Sequence, residues 1–345
     1  MFEKGFLGCE LPVVQAPMAG SQGSALAIAV CNAGGLGSLP CAMLAPDAMR
    51  QELSAITSAT SRPYNVNFFC HPQPILDRTR EQAWLELLSP YLDECGIDPA
   101  SIATGPGRAA FNADAADVLE PFKPPIVSFH FGLPADDLVA RVKGWGSKIM
   151  ASATTVDEGR YLEAHGADAV IAQGSEAGGH RGMFLTADLA TQIPTLTLVQ
   201  QLVDALTVPV IAAGGIADAS GVAEALAAGA VAAQVGTAYL FCPEATTSPL
   251  HRAALKSDAA RTTALTNLFT GRPARGIVNR LMREVGPINP AAPEFPLATS
   301  AIMALRAKAE PQGITDFTPM WAGRSAGLCR EVAAADLTRQ LAPRS

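Results

Sequence analysis

The chain has 345 residues, 49% of them hydrophobic and only 17% charged, which is enough apolar sequence for a large core and too little charge for disorder. A net charge of -7 with no long basic run argues against nucleic acid as a partner, and seven cysteines scattered singly fit reduced thiols better than a disulfide framework or a zinc site. No stretch approaches the roughly 20 apolar residues that span a bilayer, and the segment carrying Glu3, Lys4 and Cys9 is too short in apolar residues for a signal peptide, so a cytoplasmic protein without a membrane or metal requirement is expected.

Short β-rich apolar runs alternate with Ala/Leu-rich amphipathic stretches, the rhythm of βαβ units around a parallel sheet. Strands are expected over residues 11–16, 36–39, 64–69, 126–131, 148–151, 169–172, 208–213 and 232–239. Helices are expected over 24–32, 46–59, 156–164, 196–206 and 219–228, the second opening on the start signal Pro46–Asp47. Eight strands fit a closed (β/α)8 TIM barrel, with a doubly wound open sheet as the runner-up. Two regions break the rhythm: 72–124, with a helical pattern over 74–95 followed by turn-rich sequence, and 245–345. The expected division is therefore a barrel of 1–71 and 125–244, and a smaller, mostly helical substrate or lid region of 72–124 and 245–345.

Barrel active sites sit in the loops after the strands, so Gly- and polar-rich sequence at those points is where chemistry is expected. Val210–Asp218 (VIAAGGIAD) and Ala232–Leu240 (AAQVGTAYL) each run from an apolar strand into Gly, where backbone N–H groups can approach an anion. They stand at the seventh and eighth strand ends, a frequent phosphate site in barrels; the bland alternative is a pair of tight turns. Residues 173–182 (QGSEAGGHRG) hold His180, a proton donor or acceptor near neutral pH, beside Gly178 and Gly179, which let backbone lie flat against a planar group. In Tyr64–His71 (YNVNFFCH), Asn65 and Asn67 share one strand face; His71, just before Pro72, reads as a loop residue. His130 in SFHFG contacts substrate or is a core histidine, and Met18 in QAPMAG could line a ring face. His165 and His251, on expected helices without a ligand partner, read as surface residues. The dinucleotide GxGxxG and the phosphate loop GxxxxGK[ST] are absent, and no GxSxG forms an esterase elbow between an expected strand and an expected helix.

With QAPMAG, CNAGGLGSLP, NVNFF, SFHFG, QGSEAGGHRG, AAGGIAD, QVGT and MWAGRSAG, the sequence resembles the nitronate monooxygenases over about residues 8–330. The first barrel motifs of the pair AAGGIAD and QVGT are shared by many FMN barrels, whereas EAGGHRG, NVNFF, SFHFG and the late WAG segment are more specific. The resemblance implies FMN held by Asn67 and Gln173, by Gly178, Gly179, Gly214 and Gly215, and by Gln234, Val235, Gly236 and Thr237 at the phosphate, with Met18 and Trp321 at the cofactor. It implies His180 as the active-site histidine, with His130 a second catalytic candidate. The implied reaction oxidises an alkyl nitronate, propionate 3-nitronate above all, with O2 to an aldehyde and nitrite or nitrate. The small anionic substrate and O2 are the expected partners, with a homodimer as an open option. One position departs from the family pattern: Arg324 follows WAG where Gln is expected. The alternatives are a flavin-dependent NAD(P)H reductase acting on an enoyl-acyl carrier protein or a quinone, a flavin-free phosphate-binding lyase or synthase, and a flavin-storage protein.

Overall fold

Val13–Gln15 form the first strand (β1), buried on every side as a strand inside a ring of helices must be. The computed structural model describes residues 5–102 and 109–343; Glu3 and Lys4 of the N-terminal segment and residues 103–108 of the turn-rich stretch lie outside the described residues. In chain order there follow β2 (Gly37–Pro40), β3 (Tyr64–Phe69), β4 (Ile126–His130), β5 (Lys148–Ala153), β6 (Ala169–Gln173), the two-residue β7 (Gly179–His180), β8 (Val210–Ala213) and β9 (Ala232–Val235). All but β7 form one parallel sheet in the order β1-β9-β8-β6-β5-β4-β3-β2. It closes where β1 meets β2: Gln15 N–H donates to the Leu36 carbonyl and Leu36 N–H to the Val13 carbonyl, both at 2.9 Å. The architecture is a (β/α)8 TIM barrel. Its eighth strand was expected to run to residue 239 but ends at Val235, because the chain turns at Gly236 and coils into a 3-10 turn over Thr237–Phe241.

The helices are α1 (Ser24–Asn32), α2 (Pro46–Ala59), α3 (Arg78–Glu94), α4 (Ala113–Leu119), α5 (Asp136–Gly144), α6 (Val156–Ala164), α7 (Thr195–Ala205), α8 (Ala219–Ala227) and α9 (Pro249–Lys256). Local chemistry starts them where they start. The Thr155 side chain accepts from Glu158 N–H at 3.2 Å to open α6, and Asp218 accepts from Gly221 N–H at 2.9 Å to open α8. α1 lies so close to β2 that a Cβ on Gly37 would sit 2.1 Å from the Ala27 carbonyl oxygen, a contact that only Gly permits.

Beyond the barrel run β10 (Thr263–Thr266), β11 (Ala274–Ile277), α10 (Arg280–Val285), α11 (Thr299–Ala309) and α12 (Ala334–Leu341). β10, β11 and β7 make a small antiparallel sheet. A second apolar core joins Trp84, Leu88 and Leu92 of α3 to Leu268, Ile302, Leu305 and Phe317. The structure differs from the expected division in two places. α4 puts Ala116, Val118 and Leu119, and α12 puts Ala334, Leu337 and Leu341, into the barrel's own core. Both helices are a turn or two long and flanked by turn-rich sequence, so neither leaves a periodic signal of useful length. No helix among the described residues is long and apolar enough to cross a membrane.

Candidate active site

The C-terminal ends of the barrel strands open into a cavity of about 210 Å³. Its floor is a ring of strand-end polar side chains: Asn67 of β3, Ser128 of β4, Ser152 of β5, Gln173 of β6 and Gln234 of β9. Alternation along the strand selects them, since their neighbours Phe68 and Val235 turn into the core behind. Among the described residues no Lys, Arg, Asp or Glu lines the cavity, so an anion bound there would meet imidazoles, hydroxyls and backbone N–H groups. Asn67 Nδ2 donates to the Ser128 carbonyl at 3.2 Å and to Ser128 Oγ at 3.0 Å, which fixes its rotamer. After β1, buried Gln22 accepts from Met18 N–H at 2.9 Å and donates to the Ser38 carbonyl at 2.6 Å, holding the Met18 loop at the rim.

His180 is not on a free loop. β7 pairs with β11, His180 opposite Ala274 and Gly179 opposite Arg275. Its Nε2 lies 2.9 Å from Thr270 Oγ1, and its ring stands 5.3 Å from the Trp321 ring and 5.4 Å from that of Phe295. His130, also on the cavity, has Nε2 3.1 Å from the His180 carbonyl oxygen. Burial pushes the His130 imidazole down to about 3, so the ring is neutral near pH 7. Because a carbonyl only accepts, Nε2 carries the proton and Nδ1 the lone pair. The next residue, Phe131, is buried at φ +72, a left-handed conformation costly for an aromatic residue, and the Arg272 guanidinium lies 3.9 Å over its ring.

Across the cavity Gly214 and Gly215 take φ of +127 and +71, which non-Gly residues avoid, and so turn the chain sharply after β8. Gly323 N–H donates to Thr237 Oγ1 at 2.9 Å and Ser325 Oγ to the Gly215 carbonyl at 2.6 Å, so the late WAG segment is strapped across both Gly-rich turns. Arg324 itself is exposed, and its backbone N–H donates to the Glu176 carbonyl at 3.0 Å. These features suit FMN. A Cβ on Gly179 would touch nothing within 4 Å, one on Gly236 only Ala16 at 3.4 Å, and Gln234 Oε1 is buried with no protein partner. An elongated group bearing hydroxyl and N–H donors answers that orphaned acceptor.

Of the residues singled out in the sequence, His180, His130, Met18, Asn67, Gln173, Gly178, Gly179, Gly214, Gly215, Gln234, Gly236, Thr237 and Trp321 all line this one cavity. Val235 does not: its side chain is buried in the barrel core, and its carbonyl accepts from Ala16 N–H at 2.8 Å. His251 is corrected too. Read as a surface residue, it is only 7% exposed and lines the cavity, with Nε2 lacking a partner. His71 follows β3 as expected but is buried, its ring 4.9 Å from Phe295. Sequence reasoning also missed Ser128, Ser152 and Ser325; the period of two that selected Asn67 would have found the first.

A family model described as "Nitronate monooxygenase" matches residues 2–344. A nitronate monooxygenase of Paraburkholderia phytofirmans is 42% identical over 339 residues, 97% of this chain and 92% of that one. One of Pseudomonas aeruginosa is 42% identical over 338 residues, 97% of this chain and 96% of its own. Among solved structures, a nitroalkane oxidase from Streptomyces ansochromogenes matches with a TM-score of 0.88 at 39% identity, covering 96% of this chain and 95% of that one. FabK from Thermotoga maritima matches with a TM-score of 0.72 at 28% identity, covering 98% and 93%.

Proposed function

The chain belongs to the nitronate monooxygenase family of flavin-dependent oxidoreductases, and from that premise we propose that it binds FMN at the barrel mouth and oxidises alkyl nitronates with O2, propionate 3-nitronate first among them. The observation that carries this reading is the cavity itself: polar strand ends and Gly-rich turns on one side, and His180 on the other, with no charged side chain among its described lining residues. Asn67, Gln173 and Gln234, with backbone at Gly178, Gly214, Gly215, Gly236 and Thr237, would hold the cofactor. FMN, when bound, supplies the electron-accepting chemistry and the route to O2.

The protein groups do the rest. A nitronate is an anion, and in a cavity free of carboxylates it meets no repulsion; imidazole and backbone N–H donors there are worth more than in water. His180 orients that anion, and with a neutral nitroalkane it takes the proton from the carbon bearing the nitro group. Phe69 and Trp321 on the cavity, with Phe131 and Phe295 packed behind Phe69, form an apolar wall that keeps water from the reacting atoms. The products are an aldehyde and nitrite or nitrate.

An absorbance spectrum of the purified protein, followed by anaerobic addition of propionate 3-nitronate, tests this. Flavin bands that bleach on nitronate are the expected result. Bands that ignore nitronate and bleach with NADH would move the assignment to a flavin-dependent NAD(P)H reductase. A colourless protein that FMN cannot reconstitute would overturn the reading altogether.

A further inference from the structure

Three glycines, Gly178, Gly179 and Gly182, surround His180 within five residues. Backbone so rich in Gly loses much freedom on ordering and does not by itself hold an imidazole in one place. Yet the next side chain, Arg181, is fully buried. Its Nη2 donates to the Gln173 carbonyl, its Nη1 to the Gly174 carbonyl and its Nε to Gln192 Oε1, each at 2.7 Å. Burying a guanidinium without a carboxylate in contact is costly, and an apolar side chain would fill the same space more cheaply. What the arginine adds is three charge-assisted bonds in a rigid planar fork.

The grip is returned from the other side. Gln173 Nε2 donates to the His180 carbonyl at 2.9 Å, and Gln173 Oε1 accepts from Gly182 N–H at 2.7 Å. The side chain of Gln173 thus holds the backbone on both sides of Arg181, while the side chain of Arg181 holds the backbone of Gln173 and Gly174. His130 adds a second donor to the His180 carbonyl, and it comes that close because a Cβ on Gly182 would lie 2.9 Å from its ring. Arg181 N–H, donating to the Pro273 carbonyl at 2.8 Å, ties the same turn to β11.

We propose that Arg181 is the positioning residue for His180, acting through a reciprocal clamp with Gln173 that converts a Gly-rich turn into a fixed mount for the imidazole. This rests on the reading of His180 as the side chain that meets substrate. Arg181 touches neither cavity nor substrate; Gln192 is its outer anchor, and His130 shares the positioning task through its Nε2 proton.

The test uses FMN-loaded protein with ring-labelled histidines, of which the chain has five, in the forms wild type, Arg181→Met, Arg181→Lys and Gln192→Leu. Two readouts are taken: the His180 ring resonances without substrate, and kcat and KM with propionate 3-nitronate. In Arg181→Met the His180 signals shift and broaden, flavin absorbance persists, and kcat falls about 100-fold with KM nearly unchanged, the signature of a misplaced catalytic group. Arg181→Lys recovers part of the loss, and Gln192→Leu, which removes one of three bonds, shows a smaller change in the same direction. Unmoved His180 signals with kcat within about twofold of wild type would overturn the proposal, as would activity lost only in step with flavin. Should Arg181→Met not fold, Gln192→Leu and Arg181→Lys decide by the same criteria. If the wild type ignores nitronate, the activity assignment fails alone, because the His180 resonances still report on the clamp.

Discussion

Burial pushes the His251 imidazole down to about 4, with a hydrogen bond to the Trp321 backbone opposing the shift. Unfolded, the ring takes up its proton near 6.5; folded, it resists until the pH is far lower. Between those values the unfolded chain binds the extra proton, so stability from this residue is fully present above about pH 6.5 and is lost as the pH falls toward 4. The loss amounts to about 2–3 kcal/mol at pH 4.5, roughly two pH units below the unfolded value at 1.36 kcal/mol per unit. His130, pushed down to about 3 by burial, adds a loss of the same sign. His251→Leu should therefore flatten the fall in unfolding free energy between pH 7 and 4.5, measured by urea titration at a fixed excess of FMN. Equal slopes in the two proteins would show that His251 does not carry the acid sensitivity. The same residue shows why a histidine's surroundings are hard to read from sequence. An imidazole on an eight-residue helix reads as a surface group, and it is the packing of α9 against the late Trp321 segment that buries it.

At the scale of elements, the loop that leaves His180 is fastened by one carboxylate. Glu158, fully buried in α6, accepts from Thr154 N–H at 2.7 Å, Thr154 Oγ1 at 2.8 Å, Phe184 N–H at 2.6 Å and Leu185 N–H at 3.2 Å. Glu158→Gln turns one acceptor into a donor that faces other donors, and should cost about 2–4 kcal/mol by denaturant unfolding, in line with bonds to a charged acceptor. A loss under about 0.5 kcal/mol would mean that water takes the carboxylate's place. The barrel strands themselves were legible because each is a short apolar run bounded by Gly, Pro or Asn, and because eight such runs alternate with helical patterns. β7, β10 and β11 were not. Gly-His is too short for any period; TALT pairs with ARGI across a short connection, and ARGI in turn pairs with Gly-His far back in the sequence, Ala274 opposite His180. The cavity residues were legible for the same reason as the strands, since position after a strand end places a side chain at the mouth. The Val235 side chain turns away from the cavity that its neighbour Gln234 faces, because one step along a strand reverses direction.

Among the described residues the two largest apolar clusters are the barrel's and the one that joins α3 to the C-terminal helices. β7, which carries His180, leaves the barrel at the end of β6, yet pairs with β11, which belongs to the antiparallel sheet beyond the barrel. Trp84, 2% exposed at the centre of the second core, is far in sequence from every cavity residue after β3. Trp84→Ala should cost about 3–5 kcal/mol through the cavity that it leaves. If the second core opens as its own cooperative unit, amide exchange will rise in α3, α11, β10 and β11 while β4, β5 and β6 keep their protection. Flavin absorbance would then survive while turnover drops, because the mount of His180 loses its β11 partner before the strand-end ring that faces the cofactor is disturbed. A rise of equal size in the barrel strands would instead make the two cores one unit, and would place the stability of the His180 mount in the barrel rather than in the sheet that crosses it.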